Sequence, residues 1–288
     1  MQARSRLYGR RIRGDIGPIN TDPRTRLPGA ILAPAVSLDG VDQYYDEESA
    51  TPHFTIGSRM VVDERTFHYA HASAAIALPT AAYRLAVSTD QILAINDLLS
   101  VGATLAGATQ VVVTVGAFQG GVVTLNELVG GNVEIWPVAG TGFMWRKITA
   151  NTATAVGGDI TITVDRPMEN VVGNASQVSI HPSVYRNVQS AVTAGLVGFA
   201  TAVGLPPRAV QNGYYFWLQT YGPCFIAPTG AWPLSAANRY DVYFHQDGTT
   251  ADFNAEYAGG ANPSPQRVGY VMGAGNYGCG QVMLQLCP

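Results

Sequence analysis

Residues 109–185 are written in short β-branched runs separated by glycines, and this punctuation limits the possible folds more than any other feature of the chain. "TQVVVTVGAF" (109–118), "GNVEIWPV" (131–138), "MWRKITA" (144–150), "DITITVDRP" (159–167) and "SQVSIHPSVY" (176–185) are rich in Val, Ile and Thr and are bounded by turn residues. Runs of that length and composition read as strands. The pattern continues on both sides. "RMVVDERTFHYAHA" (59–72) alternates apolar and polar residues about Asp63 and Glu64 and reads as a hairpin. "YDVYFHQDGTTADF" (240–253) carries an Asp247-Gly248 turn signal, and "QRVGYVMGAG" and "GQVMLQLCP" add two closing strands. Helix signals are few. "STDQILAINDLLS" (88–100) reads either as a short helix capped by Ser88 or Thr89 or as a strand and loop, whereas "SAVTAGLVGFATAV" (190–203), interrupted by glycines, reads as strand. The expected class is mainly β, a β-sandwich or barrel-like domain.

The organisation follows from where the aromatic residues fall. Residues 104–185 form a Gly-punctuated set with Trp136 and Trp145, while 56–103 and 186–288 share aromatic-rich strands. This predicts a smaller β-domain over 104–185, inserted into a discontinuous main β-domain made of 56–103 and 186–288. Residues 1–55 precede it as an extended N-terminal arm. No repeat of fixed period points to a propeller or solenoid.

The arm is bipolar. Arg4, Arg6, Arg10, Arg11, Arg13, Arg24 and Arg26 face only Asp15 and Asp22 within the first thirty residues, although the whole chain carries a net charge of −3. Asp39, Asp42, Asp46, Glu47 and Glu48 follow at once. Such a Pro- and Gly-rich segment cannot fold by its own apolar burial. It reads either as a tail or as an arm laid on an acidic partner or neighbouring subunit, the seven arginines making the contact. Extended at ~3.3 Å per residue, fifty residues reach well over 100 Å. The acidic remainder of the chain would repel phosphate, so nucleic acid is not an expected partner.

Most chemical classes lack their motifs. No apolar run approaches the ~20 residues of a membrane helix, and no apolar stretch follows the basic N-terminus as a secretory leader would require, so no membrane partner is expected. Cys224, Cys279 and Cys287 are odd in number and without CxxC spacing, which reads as reduced thiols rather than a disulfide framework. "GAGNYG" (273–278) has the GxGxxG spacing, but the chain ends ten residues later with no helix or acidic partner, so it reads as a glycine turn. His68 and His71, three apart on a strand, face opposite ways and cannot share a metal. His181 and His245 stand alone, and Asn174-Ala175-Ser176 is a glycosylation sequon only in a secreted chain. No catalytic residue, cofactor or metal site is expected.

"GYYFWLQTYGPCF" (213–225) carries six aromatic residues in a stretch with no charge. On a strand, Tyr215, Trp217 and Gln219 share one face, with Phe216, Leu218 and Thr220 on the other. Apolar bulk on both faces predicts that Tyr215, Phe216, Trp217 and Leu218 form a core or an oligomer seam. A carbohydrate pocket lined by Tyr214, Tyr215 and Trp217 is the alternative, though only Gln219 offers a polar group there to read hydroxyls.

Several of these pieces resemble small structural proteins of tailed bacteriophages. They are Asp63, Arg65, Phe67, Tyr69, Ala70 and Ala72 in "VVDERTFHYAHASAAI", the "ATQVVVTVG" run (108–116), the aromatic strand (213–226) and the closing "RVGYVM" (267–272). The resemblance covers residues 56–288 and is one of pattern, with the arm outside it. It implies a capsid decoration (cement, head-stabilising) protein of the virion, made in the host cytoplasm. Such a protein is non-enzymatic and trimeric, and it bridges neighbouring capsomers above the major capsid protein. A trimeric tail, fibre or glycan-binding component of the virion is the alternative.

Overall fold

The computed structural model describes residues 43–76, 87–89, 95–114, 123–138, 142–155, 158–190, 201–226, 241–244, 250–251, 266–274 and 280–288. The seven arm arginines, Cys279, His245, the Asp247-Gly248 pair and most of 190–203 lie outside them. The described residues are mainly β, with no helix among them. In chain order the strands are β1 Glu48–Ser49, β2 Arg59–Val62, β3 Arg65–His71, β4 Val87–Thr89, β5 Ile95–Leu99, β6 Gln110–Thr114, β7 Asn132–Trp136, β8 Met144–Asn151 and β9 Asp159–Val164. They continue with β10 Gln177–His181, β11 Val188–Ser190, β12 Ala202–Gly204, β13 Tyr215–Ile226, β14 Asp241–Phe244, β15 Thr250–Ala251, β16 Arg267–Ala274 and β17 Gly280–Gln285. They belong to two units, one drawn from 1–89 and 187–288, the other from 90–186.

The second unit therefore begins at residue 90, not at 104 as expected. The reason lies in backbone pairing. β5 is hydrogen-bonded to β10, and Thr104 bridges Val172, so 95–104 belong to the middle set of strands. The segment left open between helix and strand is strand at both β4 and β5.

In the first unit, β13 is the strand on which the others align. One of its sides pairs with β3, from Tyr215↔His71 to Tyr221↔Thr66. The other side is shared in turn by β1 at Tyr215 and Phe216, by Leu205 at Gln219, and by β17 from Tyr221 to Ile226. The sheet order is β15-β14-β16-β17-β13-β3-β2. β2 and β3 form the expected hairpin, with Asp63 at φ +55°, the left-handed conformation that a two-residue turn demands. A proline inside a central strand is unusual because it cannot donate to the ladder. Pro223 is tolerated because its backbone turns toward the side where β3 has already ended, and its carbonyl accepts from Gln219 Nε2 (2.9 Å). At Gly222, with φ +96°, a Cβ would run into the Glu64 carbonyl oxygen, so this position beside the β2–β3 turn requires glycine.

Residues 43–55, expected as the inner end of the N-terminal arm over 1–55, belong to the first unit. Gln43, His53 and Phe54 are buried there, and Glu48 of β1 accepts from the Gln211 backbone (2.7 Å) and pairs with Arg208 (3.6 Å). Composition alone missed this because the segment has no periodicity of its own. It is ordered by the strands it covers.

The second unit has the order β5-β10-β7-β8-β9-β6, every neighbouring pair antiparallel. Its two outer strands also meet, since Ser100 bridges Val113 and the Val101 amide donates to the Val112 carbonyl (2.8 Å). The sheet thus curls until its outer strands touch beyond the end of β5. Alternate residues of β6 to β10 point inward and build an aliphatic core that includes Val133, Ile135, Met144, Ile148, Ile160, Ile162, Val178 and Ile180.

Trp217 is 0% exposed and sits among Phe54, Tyr69 and Phe67, its ring 5.0 Å from both Phe54 and Tyr69. Its replacement by alanine empties the centre of this cluster and also orphans the Gln43 carbonyl that the indole N–H reaches (3.1 Å). Trp217→Ala should therefore lower unfolding free energy by about 3–5 kcal/mol, the range for vacating a buried aromatic site. Denaturant melts of parent and variant measure it, and a difference below about half a kcal/mol would contradict the buried assignment.

Candidate binding surfaces

Of the residues in the aromatic stretch, Phe216, Trp217 and Leu218 are buried within the chain itself, and Tyr215 is half-buried between Tyr69 and His71 (ring centroids 6.1 and 4.6 Å). These four residues line the core of the first unit. A carbohydrate pocket over Tyr214, Tyr215 and Trp217 is ruled out by the burial of Trp217, whose indole N–H is already committed to Gln43.

His68 on β3 is buried beside a hydroxyl. His68 Nδ1 lies 3.0 Å from Thr220 Oγ1, a spacing that would suit a base activating a hydroxyl. The hydroxyl proton, however, is donated to the Cys287 carbonyl (2.7 Å), so the imidazole donates to Thr220 and does not accept from it. Burial, reinforced by the neighbouring Arg59 guanidinium, lowers the His68 pKa from 6.5 to about 4. The pair is a neutral structural link that fastens the C-terminal residues to β13 and β3. Among the described residues no group of three or more His, Cys, Asp or Glu is placed to hold a metal ion, and no helix is long and apolar enough to cross a membrane. The strands flanking "GAGNYG" pair antiparallel, Ala274 opposite Gly280, so the motif leads from strand to strand, whereas a dinucleotide site leads from strand into helix.

Two outward faces carry exposed apolar side chains instead. The first lies on β13, β17, β16 and β14. Past the irregularity between Gln219 and Tyr221, Cys224, Ile226, Val282, Leu284 and Val242 turn inward. Phe225, Tyr270 and Met272 are exposed on the same sheet, with Pro223 and Met283 half-buried. Register places Pro223, Met283, Tyr270 and Asp241 in one row across the four strands. The border is polar. Arg267 pairs with Asp241 (2.7 Å) and donates to Gln285 (2.9 Å). An aromatic and methionine centre with a polar border containing arginine is the composition of protein–protein contact surfaces.

The second face lies on β7, β8 and β10 of the second unit. Trp136, Phe143 and Trp145 are 52%, 48% and 44% exposed. Trp136 and Phe143 have centroids 5.1 Å apart, Phe143 and Trp145 6.4 Å, and Trp145 stacks on His181 at 5.5 Å. Glu134 lies among them, one carboxylate oxygen accepting from Trp136 Nε1 (3.1 Å) and the other 3.1 Å from His181 Nε2. The signal for this face is present in the sequence. In "NVEIW", Val133 and Ile135 alternate with Glu134 and Trp136, and in "FMWRK", Met144 alternates with Trp145. Both tryptophans therefore point away from the aliphatic side, whereas the sequence reading used them only to mark out a domain.

No family model matches the chain, and no curated protein and no solved structure matches it.

The His68 assignment carries a pH dependence. Its folded pKa lies below the unfolded value, so the unfolded chain binds the extra proton first as pH falls. Stability attached to neutral His68 is complete above pH 6.5, declines between 6.5 and about 4, and changes no further below that. The difference is about 3 kcal/mol. Melting curves across that window should show a steeper loss for the parent than for His68→Gln. Equal slopes would contradict the buried neutral state.

Proposed function

We propose that this chain is a non-enzymatic structural protein of a bacteriophage virion that binds the outside of the icosahedral shell as a homotrimer and cements neighbouring capsomers. The observation that carries the reading is the four-stranded outward face of Phe225, Tyr270, Met272 and Met283. It is spread over paired strands, which suits a second protein surface better than a small substrate. The resemblance of 56–288 to phage structural proteins supports the same reading, as does the concentration of seven arginines before residue 27. In this reading the sheet face contacts the major capsid protein or a neighbouring copy, and the basic arm reaches an acidic patch on the next capsomer. The arm's charge then contributes mainly on-rate and salt sensitivity.

Three proteins compared on the same undecorated shells test this: the parent, Tyr270→Glu/Met272→Glu, and a chain lacking residues 1–30. Both substituted side chains are exposed, so the double variant should keep the parent's melting behaviour while binding shells at least tenfold more weakly. The truncated chain should stay folded, bind more weakly, and lose the parent's sensitivity to salt above ~0.15 M, where screening acts within ~8 Å. Undiminished decoration by both variants would remove this reading.

A further inference from the structure

The tryptophan face of the second unit is not needed by the shell-binding reading, and its chemistry is of another kind. Exposed rings on a protein surface have three ordinary occupants: a partner protein, a charged ligand held by cation–π or ionic contact, or a ligand with an apolar face and polar edges. The first would show as a loss of shell decoration or of the oligomer when these rings are removed. The second needs free charge. Among the rings the one carboxylate, Glu134, already has both oxygens engaged, by the Trp136 indole and the His181 imidazole, and the exposed Lys147 lies at their border, two residues along β8 from Trp145 and opposite Asn132.

The third occupant fits what is present. Trp136 is braced by its hydrogen bond to Glu134 and Trp145 by its stack on His181, so both rings are held in place before a ligand arrives. Preorganisation of this kind reduces the entropy lost on binding. Trp136 meets Phe143 and Phe143 meets Trp145, so the rings are contiguous across β7 and the start of β8 and can follow more than one unit of a chain. Around them the outward positions of β10 and β7 carry Gln177, Ser179 and Asn132, uncharged groups that both donate and accept. Gln177 lies directly across from Trp136 in the β7–β10 register. A sugar ring has a C–H face for an aromatic surface and equatorial hydroxyls for amides and hydroxyls beside it.

We propose that the outer face of β7, β8 and β10, centred on Trp136, Phe143 and Trp145, binds a neutral oligosaccharide chain, with Gln177 and Ser179 reading its hydroxyls. The glycan alternative thus moves from the buried Trp217 to a different unit and to different tryptophans. It stands independently of shell binding, and the two can fail separately.

The test is a titration of the full chain, followed by tryptophan fluorescence, with maltohexaose, cellohexaose, mannohexaose and chitohexaose, each taken to about 10 mM, with Trp145→Ala and Trp136→Ala measured alongside. The expected result is a saturable change with at least one probe, at a Kd near 1 mM, the weak range of a shallow site. At least a tenfold loss of affinity is expected in each variant, with melting temperature and shell decoration unchanged. Three outcomes would overturn the proposal: no response to any of the four probes, a response that survives in both variants, or a loss of shell decoration or oligomer in the variants without sugar binding. The last would make the face a protein contact instead.

Discussion

A single glutamine satisfies the polar atoms of the buried aromatic strand. Tyr69 donates to Gln43 Oε1 (2.6 Å), Gln43 Nε2 donates to the Tyr215 carbonyl (2.9 Å), and the Gln43 carbonyl accepts from Trp217 (3.1 Å). Burying tyrosine and tryptophan gains apolar area only if the hydroxyl and the indole N–H find partners, since each orphaned group costs about 1–3 kcal/mol. Residues 43–54 supply those partners, and the His53 amide completes the set by donating to the Tyr69 hydroxyl (3.1 Å). The aromatic cluster, the position of β1 and the boundary between the arm and the first unit all depend on this segment closing over β13 and β3.

The two units use aromatic residues in opposite ways. In the first, rings fill the centre and the exposed apolar face lies further along the same sheet, where the irregularity after Gln219 changes which side chains turn inward. In the second, Val and Ile already fill the curled sheet, so the rings at alternate positions have nowhere to go but out. Side-chain alternation with a period of two decides both outcomes. A protein that meets partners through rigid sheet faces needs no mobile loop to form its contacts, and surfaces held on strands are more closely defined than those on loops.

Much of this was legible in the sequence. β-branched runs bounded by glycine mark β6 to β10, and the alternation in 59–72 marks the β2–β3 hairpin. Apolar bulk on both faces of 213–226 marks a covered strand. Other features depend on contacts between distant segments and leave no local trace. Gln43 looks like any polar residue of an arm until Tyr69 and Trp217 are seen beside it. Pro223 argues against a central strand until β3 is seen to stop short of it. Arg146 occupies an inward position of β8 and is held there by Glu169 (2.9 Å) and the Trp145 carbonyl (2.9 Å), a pairing across 23 residues that no spacing rule predicts. The outward tryptophans are legible in the alternation of "NVEIW" and "FMWRK", where Trp136 and Trp145 fall between inward aliphatic positions.

The central claim is that the chain works as a repeated element of a shell, through sheet faces and an arm rather than through chemistry. Labelling the protein and imaging whole particles at low resolution tests it most directly. The account predicts density recurring over the shell surface at symmetry-related positions between capsomers. Density confined to a few copies at the tail, or absent from the particle, would contradict it.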